Sequence, residues 1–278
     1  MIQSRLFKLA LAGTVLAALP TTAQAHRQWM TASSTVVSGE NNWVTVDAAA
    51  SNDLFYIDHR PLSAKPTVTT PDGETIEVAN HAVGQMRATF DVHLQKQGTY
   101  RVAIVNQGVI GTYKQGGETK TLPRGTTRAN LAERIPADAT DVVTADNVSR
   151  NEIYITQGAP TEDIFKPTGA GIELVPMTHP NDLYAGESAT FQFLREGKPT
   201  EGLTVTAIPG GIRYRDALQD MNLKTDGEGK VEITWPEPGL YWVNVTEGGD
   251  EDEDERPAPG GPPRGRMSYV TVVEVLAS

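Results

Sequence analysis

Short runs of Val, Ile, Thr, Tyr and Phe, separated by Gly, Pro, Asn and Asp, recur along nearly the whole chain beyond residue 25. They leave little room for anything but β-structure. Asn42 to Asp47 (NWVTVD) alternates apolar and polar residues. Arg87 to Leu94 (RATFDVHL) does the same, with Phe90, Val92 and Leu94 on one face and Arg87, Thr89, Asp91 and His93 on the other. Gly98 to Val105 (GTYRVAIV) follows a Lys-Gln-Gly turn, so a hairpin is expected over Arg87 to Asn106. Pro71-Asp72-Gly73 marks another hairpin turn.

Between Gly108 and Thr140 the pattern is less regular. Thr127 to Arg134 reads as a short helix stopped by Pro136. Gly158 to Gly171 is rich in Pro and Gly and reads as a linker. Strands are then expected at 172–177, 189–195, 203–208, 221–225, 231–235, 241–246 and 268–275, with Thr225 to Lys230 as a hairpin turn. Both halves hold a turn followed by Gly-x-Tyr: Gly98-Thr99-Tyr100 and Gly239-Leu240-Tyr241. The expected fold is all-β, with two immunoglobulin-like β-sandwich domains in tandem at 26–165 and 166–278. Residues 247–266 carry an acidic run, then Pro and Gly, then Arg, and read as a long solvated loop inside the second domain.

The first 25 residues have the form of a cleaved signal peptide. Arg5 and Lys8 are followed by an apolar run from Leu9 to Leu19 and by the small-x-small site Ala23-Gln24-Ala25. Export to the periplasm is expected, with His26 as the first mature residue. The apolar run is shorter than a membrane span, and no later segment approaches one, so the mature chain is not expected to cross the membrane. There is no cysteine, which excludes disulfides and thiolate metal sites. The formal charge of −11 becomes −13 once Arg5 and Lys8 are removed, which disfavours nucleic acid as a partner.

Several segments together resemble a known family: AHRQWM, WVTVDAAASNDLFYIDHRPL, GIELVPMTHPNDLYAGESATF, LREGKPTEGLTVTAIPGG, TDGEGKVEITWPEPGLYWV and the closing SYVTVVEVL. The chain resembles a periplasmic domain of unknown function grouped with substrate-specific, NikM-like components of nickel uptake. The resemblance implies two β-sandwich domains, export and a part in metal handling. A membrane transporter or outer-membrane receptor would then be the partner.

The residue expected to carry chemistry is His26. After cleavage it offers an α-amino group and an imidazole, and resembles the copper-chelating terminus of histidine-brace proteins. The cofactor expected is a transition metal ion, Cu(II) or Ni(II). A second histidine must complete such a site. His179, in Met177-Thr178-His179-Pro180 near the expected domain junction, is the first candidate, and His59, in Asp58-His59-Arg60-Pro61, the second. No histidine pair has the close spacing that identifies a site from sequence. Asp53, Asp58 and Asp182 are possible oxygen ligands, or turn caps. Arg213-Tyr214-Arg215 follows a Pro-Gly-Gly turn and could contact an anionic ligand or glycan. The expected function is metal binding in uptake or handling, without catalysis. The alternatives are a non-catalytic module for a glycan or protein partner and, third, a copper-dependent oxidase.

Overall fold

The computed structural model describes residues 26–247, 263 and 265–278. The expected signal segment and most of the loop expected at 247–266 lie outside the described residues. The first half contains β1 (Arg27–Ala32), β2 (Val36–Val37), β3 (Asn42–Ser51), β4 (Thr67–Thr69), β5 (Thr75–Ile76), β6 (Ala79–Val83), β7 (Ala88–Leu94), β8 (Gly98–Gln115), β9 (Glu118–Thr121) and β10 (Thr140–Gln157). The second contains β11 (Ile172–Pro176), β12 (Ser188–Arg195), β13 (Lys198–Pro199), β14 (Thr204–Pro209), β15 (Met221–Lys224), β16 (Lys230–Thr234), β17 (Gly239–Thr246) and β18 (Met267–Val275). The fold is all-β. The expected helix shrinks to a single turn, Leu131–Arg134, with no buried residue to hold more.

Each half is a sandwich because its strands are apolar on one face. In β7, Ala88, Phe90, Val92 and Leu94 are buried while Thr89, Asp91 and His93 are not. The sheet β1-β3-β7-β6 packs Val44, Val46, Phe90 and Val92 against Val68, Val102, Ile104, Ile153 and Ile155 of the opposing layer. In the second half, Phe191, Phe193, Val231 and Ile233 face Val205, Val243, Val245, Tyr269 and Val273. The opposing layers of both halves belong to one sheet, in the order β15-β14-β17-β18-β10-β8-β4-β5 among the described residues.

Strand β10 makes that sheet continuous. It pairs antiparallel with β8 from Thr140 to Gln157, and parallel with β18 from Val148↔Met267 to Glu152↔Thr271. Its side chains divide between the cores: Ile153 and Ile155 enter the first, Val148 and Tyr154 the second. The segment expected as a linker is also partly buried, since Ile164 and Phe165 form a 3-10 turn in the second core. From the other side, Ile208, Trp242 and Val272 enter the first core. Each core therefore takes side chains from both halves of the chain.

Charge is buried at this seam. Arg150 Nη1 donates to Glu152 Oε1 at 2.8 Å, and Tyr154 donates its hydroxyl to Glu152 Oε2 at 2.9 Å. Arg150 Nη2 donates to the Ala170 carbonyl at 3.1 Å and lies 3.6 Å from Glu173 Oε1. Burial drives the phenols of Tyr154 and Tyr269 far above their ordinary value. Burial also works to raise Glu173, but hydrogen bonds from the Thr168 hydroxyl and the Thr168 and Gly169 N–H groups outweigh it and hold the carboxyl below its usual range.

Two expected hairpins are not hairpins. β7 pairs with β3 and β6, whereas β8 pairs with β10 and β4, so the chain changes sheets between them. Likewise β15 pairs with β14 and β16 with β12, so the Thr225–Lys230 turn joins two layers. A local turn signal does not say which neighbour a strand will choose. The Gly-x-Tyr repeats explain two of the crossings. Tyr100 donates to the Lys96 carbonyl at 3.0 Å and accepts from its N–H at 2.6 Å. Tyr241 does the same with Glu237, at 2.8 and 3.3 Å. Both are tyrosine corners, which pin a strand that has just crossed between the sheets of an immunoglobulin-like sandwich.

Candidate functional site

The chain enters the fold through β1, and the register of that strand decides where His26 lies. Arg27 pairs with Ser51 of β3, so His26 comes opposite Asn52 at the end of the ladder. Trp29, 2% exposed, locks the register by donating Nε1–H to Ser51 Oγ at 2.8 Å. His26 Nδ1 lies 3.1 Å from Asn52 Oδ1, and Arg27 Nη1 donates to the Asn52 carbonyl at 2.6 Å.

Beyond Ser51 the chain makes a tight loop and returns. An isolated bridge between Ala49 and Pro61 closes its base. Within it, the Tyr56 N–H donates to the Asp53 carbonyl at 3.1 Å, and the Asn52 N–H to Asp58 Oδ2 at 3.4 Å. This return brings His59 onto His26, with ring centroids 3.7 Å apart and planes tilted by 38°. His59 Nδ1 is 2.7 Å from Asp58 Oδ1. Burial acts to raise Asp58, but its hydrogen bonds to His59 and the Asn52 N–H outweigh that effect and lower the carboxyl below its ordinary value. With Nδ1 beside a carboxylate, His59 has Nε2 as its remaining ring nitrogen. This carboxylate–imidazole arrangement commonly orients metal ligands.

The other residues singled out in the sequence lie elsewhere. His179 faces the seam: its Nε2 lies 3.0 Å from Thr99 Oγ1, and its Nδ1 accepts the Asn181 N–H at 3.1 Å. Burial holds its imidazole below the ordinary value. Thr99 Oγ1 is bonded to Thr156, beside Gln157, which bonds Asn42 at the start of β3. His26 lies past the other end of β3, a ten-residue strand that spans about 30 Å, too far for one ion to join the two histidines. His93 stacks on Trp43 at 4.1 Å, and His81 meets the Phe90 ring edge. Asp53 does not turn toward the histidines; it pairs with Arg213 at 3.8 Å. Among the described residues no three His, Cys, Asp or Glu side chains converge on a metal position. The spacing of 33 between His26 and His59 gave no sequence signal; the only local hint was the Asp immediately before His59.

Residues 23–247 match the profile of a family described as a domain of unknown function, DUF4198. The chain belongs to that family. No curated protein matches this DUF4198 chain. Among solved structures, a DUF4785 family protein of Legionella pneumophila is 8% identical with a TM-score of 0.24, over 78% of this chain and 50% of that one, so the DUF4198 chain spans half of its length. The human OSCAR ligand-binding domain is 13% identical with a TM-score of 0.20, over 91% and 100% of the two chains. The D0-D1 domain of Intimin is 16% identical with a TM-score of 0.22, over 89% and 97%. At such scores these are loose likenesses. No described helix is long and apolar enough to cross a membrane.

Proposed function

We propose that the mature DUF4198 protein binds one transition metal ion in the periplasm, Cu(II) or Ni(II), in the service of its uptake or handling. The donors are the α-amine and imidazole of His26 and the Nε2 of His59. The observation that carries this reading is the His26–His59 ring contact at 3.7 Å, made by a residue that signal cleavage would leave at the terminus. Two imidazoles and one amine form an all-nitrogen set that suits the tetragonal preference of Cu(II) and Ni(II). The cation would supply no redox step in a carrier; it is the cargo. This chain's part is to hold the His26 amine at the end of a fixed ladder and to keep the His59 tautomer with Asp58. A metal at His26 Nδ1 displaces the contact to Asn52. The partner is a membrane transporter or outer-membrane receptor, as in the nickel-uptake grouping that the sequence resembles.

The test is a Cu(II) and Ni(II) titration of protein whose mass shows that it begins at His26. His26→Ala, His59→Ala and a one-residue extension before His26 each weaken affinity at least ~10-fold, about 1.4 kcal/mol each. His179→Ala leaves it unchanged. Equal affinity in the native and extended forms refutes the reading. Oxygen consumption by the metal-loaded protein with ascorbate and a polysaccharide would favour the oxidase over the carrier. A glycan- or protein-binding module is a second reading, and what favours it is the exposure of two rings, Trp43 at 55% and Tyr214 at 83%.

A further inference from the structure

We infer that the turn Gly210–Leu218 of the second half is a positioning element for the His59 loop, with Arg213 and Tyr214 as positioning residues. The inference rests on the metal reading above. The loop that carries His59 is fixed at its base by the Ala49–Pro61 bridge and at Leu54 by the first core, while the polar side chains of its crown, Asp53 and Tyr56, find their partners on the other half of the molecule. Arg213 Nε lies 3.8 Å from Asp53 Oδ2, and its guanidinium carbon sits 4.3 Å from the Tyr56 ring centroid. Tyr56 donates its hydroxyl to the Tyr214 hydroxyl at 2.6 Å, with the rings edge-to-face at 6.3 Å. Phe55, between these contacts, has a left-handed φ of +67°, which a bulky residue keeps only when its surroundings impose it. They do so from two sides. The Trp29 ring meets Phe55 at 5.7 Å, and Gly210 lies so close that an added Cβ would stand 2.9 Å from the Phe55 ring.

The gripping turn is itself rigid. Arg215 spends its guanidinium on four backbone carbonyls, those of Pro209, Gly210, Ala217 and Leu218. This frees the two residues before it to face outward toward the loop. The choice between a structural and a positioning role turns on exposure. Tyr214 is 83% exposed, and the side chains of Arg213 and Asp53 are 54% and 42% exposed. Contacts so wet contribute little to global stability. What they do is restrict the crown of one loop, and with it the angle at which Asp58 and His59 meet His26.

The experiment uses mature protein with a verified His26 terminus. Cu(II) affinity is measured by competition with a chromophoric chelator, the copper coordination by frozen-solution EPR, and the fold by thermal unfolding. Arg213→Ala/Tyr214→Phe is expected to unfold within about 2 °C of wild type. It should bind Cu(II) 5- to 10-fold more weakly, with altered EPR hyperfine coupling. Arg213→Lys, which keeps the charge near Asp53 but loses the flat guanidinium over Tyr56, recovers only part of the affinity. Wild-type affinity and an unchanged EPR spectrum in the double variant overturn the inference while leaving the metal site intact. A large fall in unfolding temperature along with affinity overturns it in favour of a structural contact. Wild-type protein that binds Cu(II) no better than His26→Ala overturns both this inference and the metal reading beneath it.

Discussion

Replacing Arg150 by Met tests whether the two sandwiches are joined by a dry, paired charge network. Arg150 is 6% exposed and lies on β10, the strand common to both cores. Its loss leaves the Glu152 carboxylate, 2% exposed, with only the Tyr154 hydroxyl at 2.9 Å and Arg101 Nε at 3.9 Å. It also strips the Ala170 carbonyl of its donor and Glu173 of its nearest cation. Breaking one side of a buried ion pair costs about 3–5 kcal/mol because the survivor stays charged in a poor solvent. For a protein of this size each kcal/mol lowers the unfolding temperature by about 2–4 °C, so a drop of roughly 6–20 °C is expected. Calorimetry gives that drop directly. Urea unfolding should show a lower midpoint with an unchanged slope, since the surface exposed on unfolding is the same. Adding Glu152→Gln removes the stranded charge and should restore at least half of the loss. A cost below about 1 kcal/mol for Arg150→Met would refute the reasoning, because it would mean that water or Arg101 already satisfies Glu152.

Stability should fall on the acid side through His179. Burial holds its imidazole below the ordinary 6.5, so the unfolded chain takes up that proton first. The contribution is complete above pH 6.5 and is lost as pH falls through the lowered value. In His179→Asn the difference between urea midpoints at pH 7.5 and 5.5 should shrink, and an unchanged difference would assign the slope to other groups. Both corners should lose stability: Tyr100→Phe strands the Lys96 N–H, whose carbonyl keeps the Gln157 amide as a donor, and Tyr241→Phe strands both the Glu237 N–H and carbonyl, each at a cost of about 1–3 kcal/mol in chemical denaturation. A loss confined to one of them would show that only one crossing depends on its hydroxyl.

The positions of most strands were legible because burial on one face writes alternation into the sequence, as in β7 and β12. The sheet partners were not. Nothing in Val148 to Glu152 announces a parallel neighbour at Met267 to Thr271, more than a hundred residues on, because ladder hydrogen bonds are made by backbone that every residue shares. The Gly-x-Tyr repeats were visible, but their meaning required seeing that each tyrosine returns to a carbonyl four residues earlier. At the proposed site, His26 was singled out by the expected cleavage motif alone. The approach of His59 depends on the Ala49–Pro61 closure and on the β1–β3 register. His179 was chosen for its place near the expected domain junction, and its imidazole is tied to Thr99 and Asn181.

The parallel β10–β18 ladder would set the order of events in the export that residues 1–25 lead us to expect. A chain crossing a translocon in the unfolded state emerges from its N-terminus, so β10 arrives with its outer edge open and waits for nearly the last segment to follow. Until Met267 to Thr271 emerges, that edge is an unpaired template, and Val272, which belongs to the first core, is still missing. The His26–His59 pair comes entirely from residues 26–59, yet it rests on a core completed only by the last strand. On the proposed reading, metal loading would wait for the tail of the chain, and a truncated product would present an open strand edge beside an unsupported histidine pair.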